Sequence, residues 1–166
     1  MTARRLQVSL KKAPALTVRR VALEHERLVY VICADRKLRY ENGYSHIAYI
    51  GTTKRGIARV AGSAAFRAED VLWSHGVQSF DVRLVTCRGR NGIRSWSRLE
   101  RAMIISFREM FGEIPLCNVQ GSGFGEDREF VTFRRWRIDQ IIRDLSDHGS
   151  ISERAEITDT IDEDDE

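Results

Sequence analysis

Five side chains in this 166-residue sequence are of types that could together break a phosphodiester: Tyr30, Tyr49, Arg59, Glu100 and Asn118. Such hydrolysis needs an activated water, a hard cation on the phosphate oxygens, and positive charge where negative charge develops. A single carboxylate such as Glu100 suits Mg²⁺, which keeps most of its waters and takes one or two protein carboxylates. An arginine can grip a phosphate through two parallel N–H donors. A free phenol ionises near 10; burial raises that value and only nearby cations lower it. Each residue also has a plainer reading. The tyrosines suit any strand, and Gly51 can be a strand-to-helix turn. Arg59 shares a helical face with Arg55 and Ser63, which is usually only solvated. Asn118 after Pro115 is a turn residue by type. Ser97-Arg98-Leu99-Glu100 reads as a capping box, in which the glutamate only satisfies a backbone donor.

The elements that would carry these residues follow from local pattern. The β-branched run Leu28–Ile32 predicts a strand. A second strand, Ile47–Ile50, ends at Gly51, and polar residues Asp35–Ser45, with Asn42-Gly43 as a turn signal, form a long loop between them. Thr52 and Thr53 cap a helix from Lys54 to Arg67, with Ile57, Val60, Ala61, Ala64 and Ala65 on its buried side and the Arg55–Arg59–Ser63 face opposite. Phe80–Thr86 alternates and predicts a third strand. Arg88–Arg94 is a Gly-rich basic loop. Ser97–Phe111 is helical, with Leu99, Met103, Phe107 and Met110 as its apolar stripe and Pro115 as its stop. A Gly-rich connector, Gln120–Gly125, leads to a last helix over Asp127–Asp147. The order β-β-α-β-α plus a helix implies an α+β chain, three-layered in the α/β/α manner, with a small three-stranded sheet between helices.

Composition narrows the partner. Of 27 basic residues 23 are Arg and four are Lys, while eight carboxylates crowd into residues 151–166, leaving a strongly basic body over residues 1–150. Arg's permanently charged fork suits phosphate, so a polyanion is the expected partner, nucleic acid first. No apolar run is long enough for a membrane span. Cys33, Cys87 and Cys117 are scattered and odd in number, against a disulfide framework or zinc knuckle and in favour of a reducing cytoplasm. The four histidines show no metal-ligand spacing. The chain divides into a basic arm (1–27), a central domain (28–121), a helical extension (122–150) and an acidic tail (151–166).

Taken in order, Tyr30, Tyr49-Ile50-Gly51, Arg59, Glu100 and Asn118 resemble the signature of the GIY-YIG nuclease superfamily over about residues 28–121. The second signature is intact; the first stands here as Leu28-Val29-Tyr30. Arg59 lies eight residues after Gly51, as the superfamily's arginine does. The two tyrosines are spaced more widely than usual, which makes Asp35–Ser45 an insertion, and Ser63 stands where several members carry His or Tyr. The resemblance implies a GIY-YIG-like fold with an extra C-terminal helix and a Mg²⁺-dependent DNA endonuclease in which Mn²⁺ can substitute, either restriction- or homing-like or a structure-selective repair nuclease, the alternative being a catalytically inert nucleic-acid-binding module on the same fold. It implies Tyr30 as base, Tyr49 orienting water or phosphate, Arg59 on the phosphate, Glu100 as metal ligand and Asn118 in support, although the residues themselves do not separate the two tyrosines. DNA would meet Gly51, Lys54, Arg55, Arg88, Arg90 and Arg94. Restriction members of this size would dimerise to cut both strands symmetrically; a nucleoid-associated, cytoplasmic protein is expected.

Overall fold

The structure is a computed structural model and describes residues 27–87, 95–119, 121 and 130–147. The basic loop with Arg88, Arg90 and Arg94, most of the Gly-rich connector and the acidic tail lie outside the described residues. The elements are strands β1 (Leu28–Tyr40) and β2 (Gly43–Thr53), helix α1 (Gly56–Ser74), strand β3 (Phe80–Val85), and helices α2 (Ser95–Phe111) and α3 (Arg135–Asp147). The three strands form one antiparallel sheet in the order β2-β1-β3. Among the described residues no helix is long and apolar enough to cross a membrane.

The expected loop Asp35–Ser45 is instead a β-ribbon. β1 continues to Tyr40, Glu41 and Asn42 make the turn, and Tyr40 pairs with Gly43. The ladder is broken twice: Ile32 pairs with Tyr49 and Cys33 with Ile47, skipping Ala48, and then Leu38 pairs with Ser45, so residues 34–37 bulge opposite His46. His46 Nδ1 lies 2.7 Å from the Ala34 carbonyl and ties the bulge down. The exposed Asp35-Arg36-Lys37 stretch sits on this bulge, which is why the sequence looks like a loop there.

Helix α1 starts at Gly56 and runs seven residues past the expected end. Its burial also differs from expectation. Val60 and Val71 are buried, with Ser63, Ala64 and Arg67 half-buried between them, whereas Ile57, Ala61 and Ala65 are exposed. Alanines add little apolar area each, so the two valines, three turns apart, set the rotation of the helix.

Among the described residues α1 packs on all three strands and on neither other helix, whereas α2 and α3 pack on each other and on β1 and β2. Leu28, Tyr30 and Val60 form a small cluster between sheet and α1. Val29, Val31 and Cys33 belong to the main core with Leu99, Met103 and Phe107 of α2 and Ile138 and Ile142 of α3. The period-2 alternation of β1 thus serves two helical layers. The expected stripe on α2 is the buried one. Its end is set by Gly112, in the left-handed region at φ +84, rather than by Pro115. The last helix begins at Arg135, eight residues later than expected.

Candidate active site

The two tyrosines meet because of register. Tyr30 on β1 pairs with Gly51 on β2, and Tyr49, two residues before Gly51, is its diagonal neighbour on the same face of the sheet. Their ring centroids are 5.8 Å apart, with planes tilted by 41°. A Cβ at residue 51 would lie 2.5 Å from a Tyr49 ring carbon, 2.8 Å from the Tyr49 hydroxyl and 2.9 Å from Tyr30. Glycine at 51 therefore makes room for both rings. It lies inside a strand rather than at a turn, and it is buried beneath the tyrosines rather than placed to meet DNA as expected. Gly51→Ala should displace both rings and cost about 1–3 kcal/mol in stability, a typical overpacking penalty. Chemical denaturation would measure it, and an unchanged midpoint would show that the rings have space to yield.

Helix α1 supplies the next groups. The Tyr30 hydroxyl is 2.6 Å from Ser63 Oγ, and either can donate. Ser63 thus faces the sheet and not the solvated side on which its spacing from Arg59 had placed it. Arg59, one turn earlier, is exposed and forms no hydrogen bond or ion pair among the described residues. One turn after Ser63, the Arg67 guanidinium stacks over the Tyr49 ring at 4.7 Å from its centroid and donates to Asp70 Oδ2 at 3.0 Å. Arg67 had not been singled out. The signal was the continuation of one helical row, Arg59–Ser63–Arg67, beyond its first two members.

Glu100 enters from α2. Because α2 begins at Ser95, Ser97 is its third residue and cannot be the N-cap, so the capping-box reading falls. Glu100 is half-buried without a hydrogen bond or ion pair among the described residues, and desolvation pushes its pKa up to about 7 against a weaker pull from Arg101. Its charge reaches Tyr49: burial first, then Tyr30 and Glu100, push that phenol up to about 12, with Arg67 opposing. Tyr49 therefore keeps its proton at neutral pH.

Asn118 closes the edge of the sheet. The Ile50 amide donates to Asn118 Oδ1 at 2.9 Å, and Asn118 Nδ2 donates to the Ile50 carbonyl at 2.8 Å. The Cys117 amide donates to the Ala48 carbonyl at 3.0 Å. Residues 117–118 thus act as a short surrogate strand against β2, which otherwise ends the sheet on that side. Asn118 positions Tyr49 and Gly51 through the backbone between them. Asn118→Ala removes two hydrogen bonds, and we expect about 1–3 kcal/mol of destabilisation. Faster amide exchange at Ile50 would check this, and unchanged protection would contradict it.

The structure brings together Tyr30, Tyr49, Gly51 and Asn118, puts Glu100 within electrostatic reach of Tyr49, and leaves Arg59, Lys54 and Arg55 on the adjoining surface. Among the described residues no three His, Cys, Asp or Glu side chains cluster, so any cation here would rest on one carboxylate and water. No family profile, curated protein or solved structure matches the chain.

Proposed function

We propose that this chain is a Mg²⁺-dependent DNA endonuclease of the GIY-YIG type, hydrolysing phosphodiesters with a single cation. The observation that carries the reading is the packing of Tyr30 against Tyr49 on one face of the sheet, with the desolvated Glu100 carboxylate, which has no hydrogen bond or ion pair among the described residues, near enough to help raise the Tyr49 phenol. Desolvating a carboxylate is costly, Arg101 offsets only part of that cost at Glu100, and such a donor fits a hydrated Mg²⁺. Glu100 would hold the ion, which when bound supplies positive charge to the phosphate oxygens.

The chain's own groups divide the remaining work. Tyr49, pushed up to about 12, stays a neutral hydroxyl and suits orientation of the water or phosphate by hydrogen bonding. The resemblance implies Tyr30 as the group that takes the proton from water. Ser63, 2.6 Å from its hydroxyl, can donate to the phenol oxygen. Arg59, exposed and without an ion-pair partner among the described residues, is free to grip the phosphate as negative charge builds there. Lys54 and Arg55, both exposed beside it, extend the phosphate-binding surface, which positions DNA without reading its sequence.

Two assays on one preparation test this: a gel shift in EDTA and cleavage of the same duplex after Mg²⁺ addition. Binding followed by Mg²⁺-dependent cleavage is expected. Binding with no cleavage in Mg²⁺ or Mn²⁺ would mark the chain as a catalytically inert DNA-binding module on this architecture.

A further inference from the structure

Resting on the nuclease reading, one residue outside the signature calls for a role. Arg67 is half-buried on the face of α1 that meets the sheet. A guanidinium in that position gives up part of its hydration, and something specific must compensate. Three contacts do so: the stack on Tyr49, at 4.7 Å from the ring centroid, the 3.0 Å bond to Asp70 one turn further along the helix, and a longer approach to the exposed Phe66 ring, at 5.6 Å. The second contact fixes the plane of the first. The row Arg59–Ser63–Arg67 thus presents, one turn apart, an exposed arginine, a hydroxyl on Tyr30 and an arginine on Tyr49.

Ser63 cannot carry charge, so the interior of this row would be neutral without Arg67. Tyr49 is held from behind by Asn118 through the β2 backbone and has Tyr30 on one side. Arg67 covers a face of that ring, 4.7 Å from its centroid. The position of a tyrosine hydroxyl is set by χ1, so a contact that holds the ring in one χ1 well fixes where the hydroxyl sits. We propose that Arg67, locked by Asp70, is a positioning residue that fixes the Tyr49 ring so that its hydroxyl points at the scissile phosphate or the attacking water.

Stacking by a planar guanidinium differs from a point charge, so lysine should not replace it. Arg67→Ala and Arg67→Lys should both lower kcat by about 10-fold or more, in line with the cost of a misplaced catalytic group, with KM for DNA changed less than 3-fold. Asp70→Asn should fall between these variants and wild type. Added guanidinium, at concentrations well below denaturing, should restore part of the kcat of Arg67→Ala and none of that of Arg67→Lys, whose side chain fills the site. A residue that only supports the fold would show no such rescue.

An activity-independent arm separates this inference from the nuclease reading. In protein labelled with ¹³C on its four tyrosine rings, the Tyr49 signal, identified by its loss in Tyr49→Phe, should shift and sharpen in Arg67→Ala and return on adding guanidinium. If wild type never cuts DNA, the nuclease reading fails and the catalytic part of this proposal fails with it. A Tyr49 signal unaltered in Arg67→Ala, or an unaltered kcat in an active enzyme, would overturn the role of Arg67 and leave the nuclease reading standing.

Discussion

Glu100→Gln should abolish DNA cleavage and, in the metal-free protein, make the fold more stable at pH 8. The two effects have one origin. Glu100 titrates at about 7 in the folded protein against an ordinary 4.5, because burial disfavours the charged form. A raised carboxyl pKa means that the folded state prefers the protonated acid. Its stabilising contribution is therefore complete below about pH 4.5 and is lost as pH rises towards and through about 7. Glutamine is neutral throughout and does not suffer that loss. The variant should match wild type near pH 4.5 and exceed it at pH 8 by on the order of 1–2 kcal/mol, reduced from the full linkage value by the remaining solvent access. Denaturation in EDTA at the two pH values measures this. Addition of Mg²⁺ should stabilise wild type and leave Glu100→Gln unmoved. Retained cleavage by Glu100→Gln would remove the metal assignment, and a uniform loss of stability at both pH values would return Glu100 to an ordinary structural role.

The second large effect is expected at Arg59. Its side chain is exposed and has no ion-pair partner among the described residues, so Arg59→Ala should leave stability within about 0.5 kcal/mol of wild type. Turnover at saturating DNA should nonetheless fall on the order of 10²-fold or more, the usual cost of one donor to developing negative charge. Arg55→Ala, four residues earlier and equally exposed, should mainly weaken DNA binding and reduce the slope of affinity against salt by about one phosphate contact. Single-turnover rates separate the two. Equal losses of turnover would mean that neither arginine is the transition-state donor, and a loss confined to affinity at Arg59 would reassign it to the DNA surface.

The parts of this site legible in the sequence are those that depend on short-range periodicity. Tyr30, Tyr49 and Gly51 sit in β-branched or alternating segments, and the antiparallel pairing that a hairpin enforces brings them onto one face. The stripe Leu99–Met103–Phe107 identified the buried side of α2 because those residues are large. On α1 the same reasoning misplaced the buried face, since alanines at 61, 64 and 65 hardly distinguish one rotation from another. Ser63 and Arg67 consequently point inward, where burial of a polar face would not be expected from pattern. The ribbon past Cys33 was hidden by Asp35, Arg36 and Lys37, which a bulge leaves in solvent. Asn118 could be read as a turn residue, and it does make one, its amide donating to the Pro115 carbonyl. Its second task, capping Ile50 from 68 positions away, depends on where the chain returns after α2, which no local window encodes. The capping box at Ser97 failed for a related reason: Ser97 already lies inside the helix, which is described from Ser95.

The central claim is that the tyrosine pair and Glu100 form one hydrolytic site. Its most direct test is the conversion of supercoiled plasmid to nicked or linear DNA by wild type and Tyr30→Phe, purified side by side, in Mg²⁺ and in EDTA. The proposed site predicts cleavage by wild type in Mg²⁺ only and none by Tyr30→Phe, which lacks the single oxygen that would receive the proton. Equal cleavage by both proteins, or none by wild type in either Mg²⁺ or Mn²⁺, would contradict it.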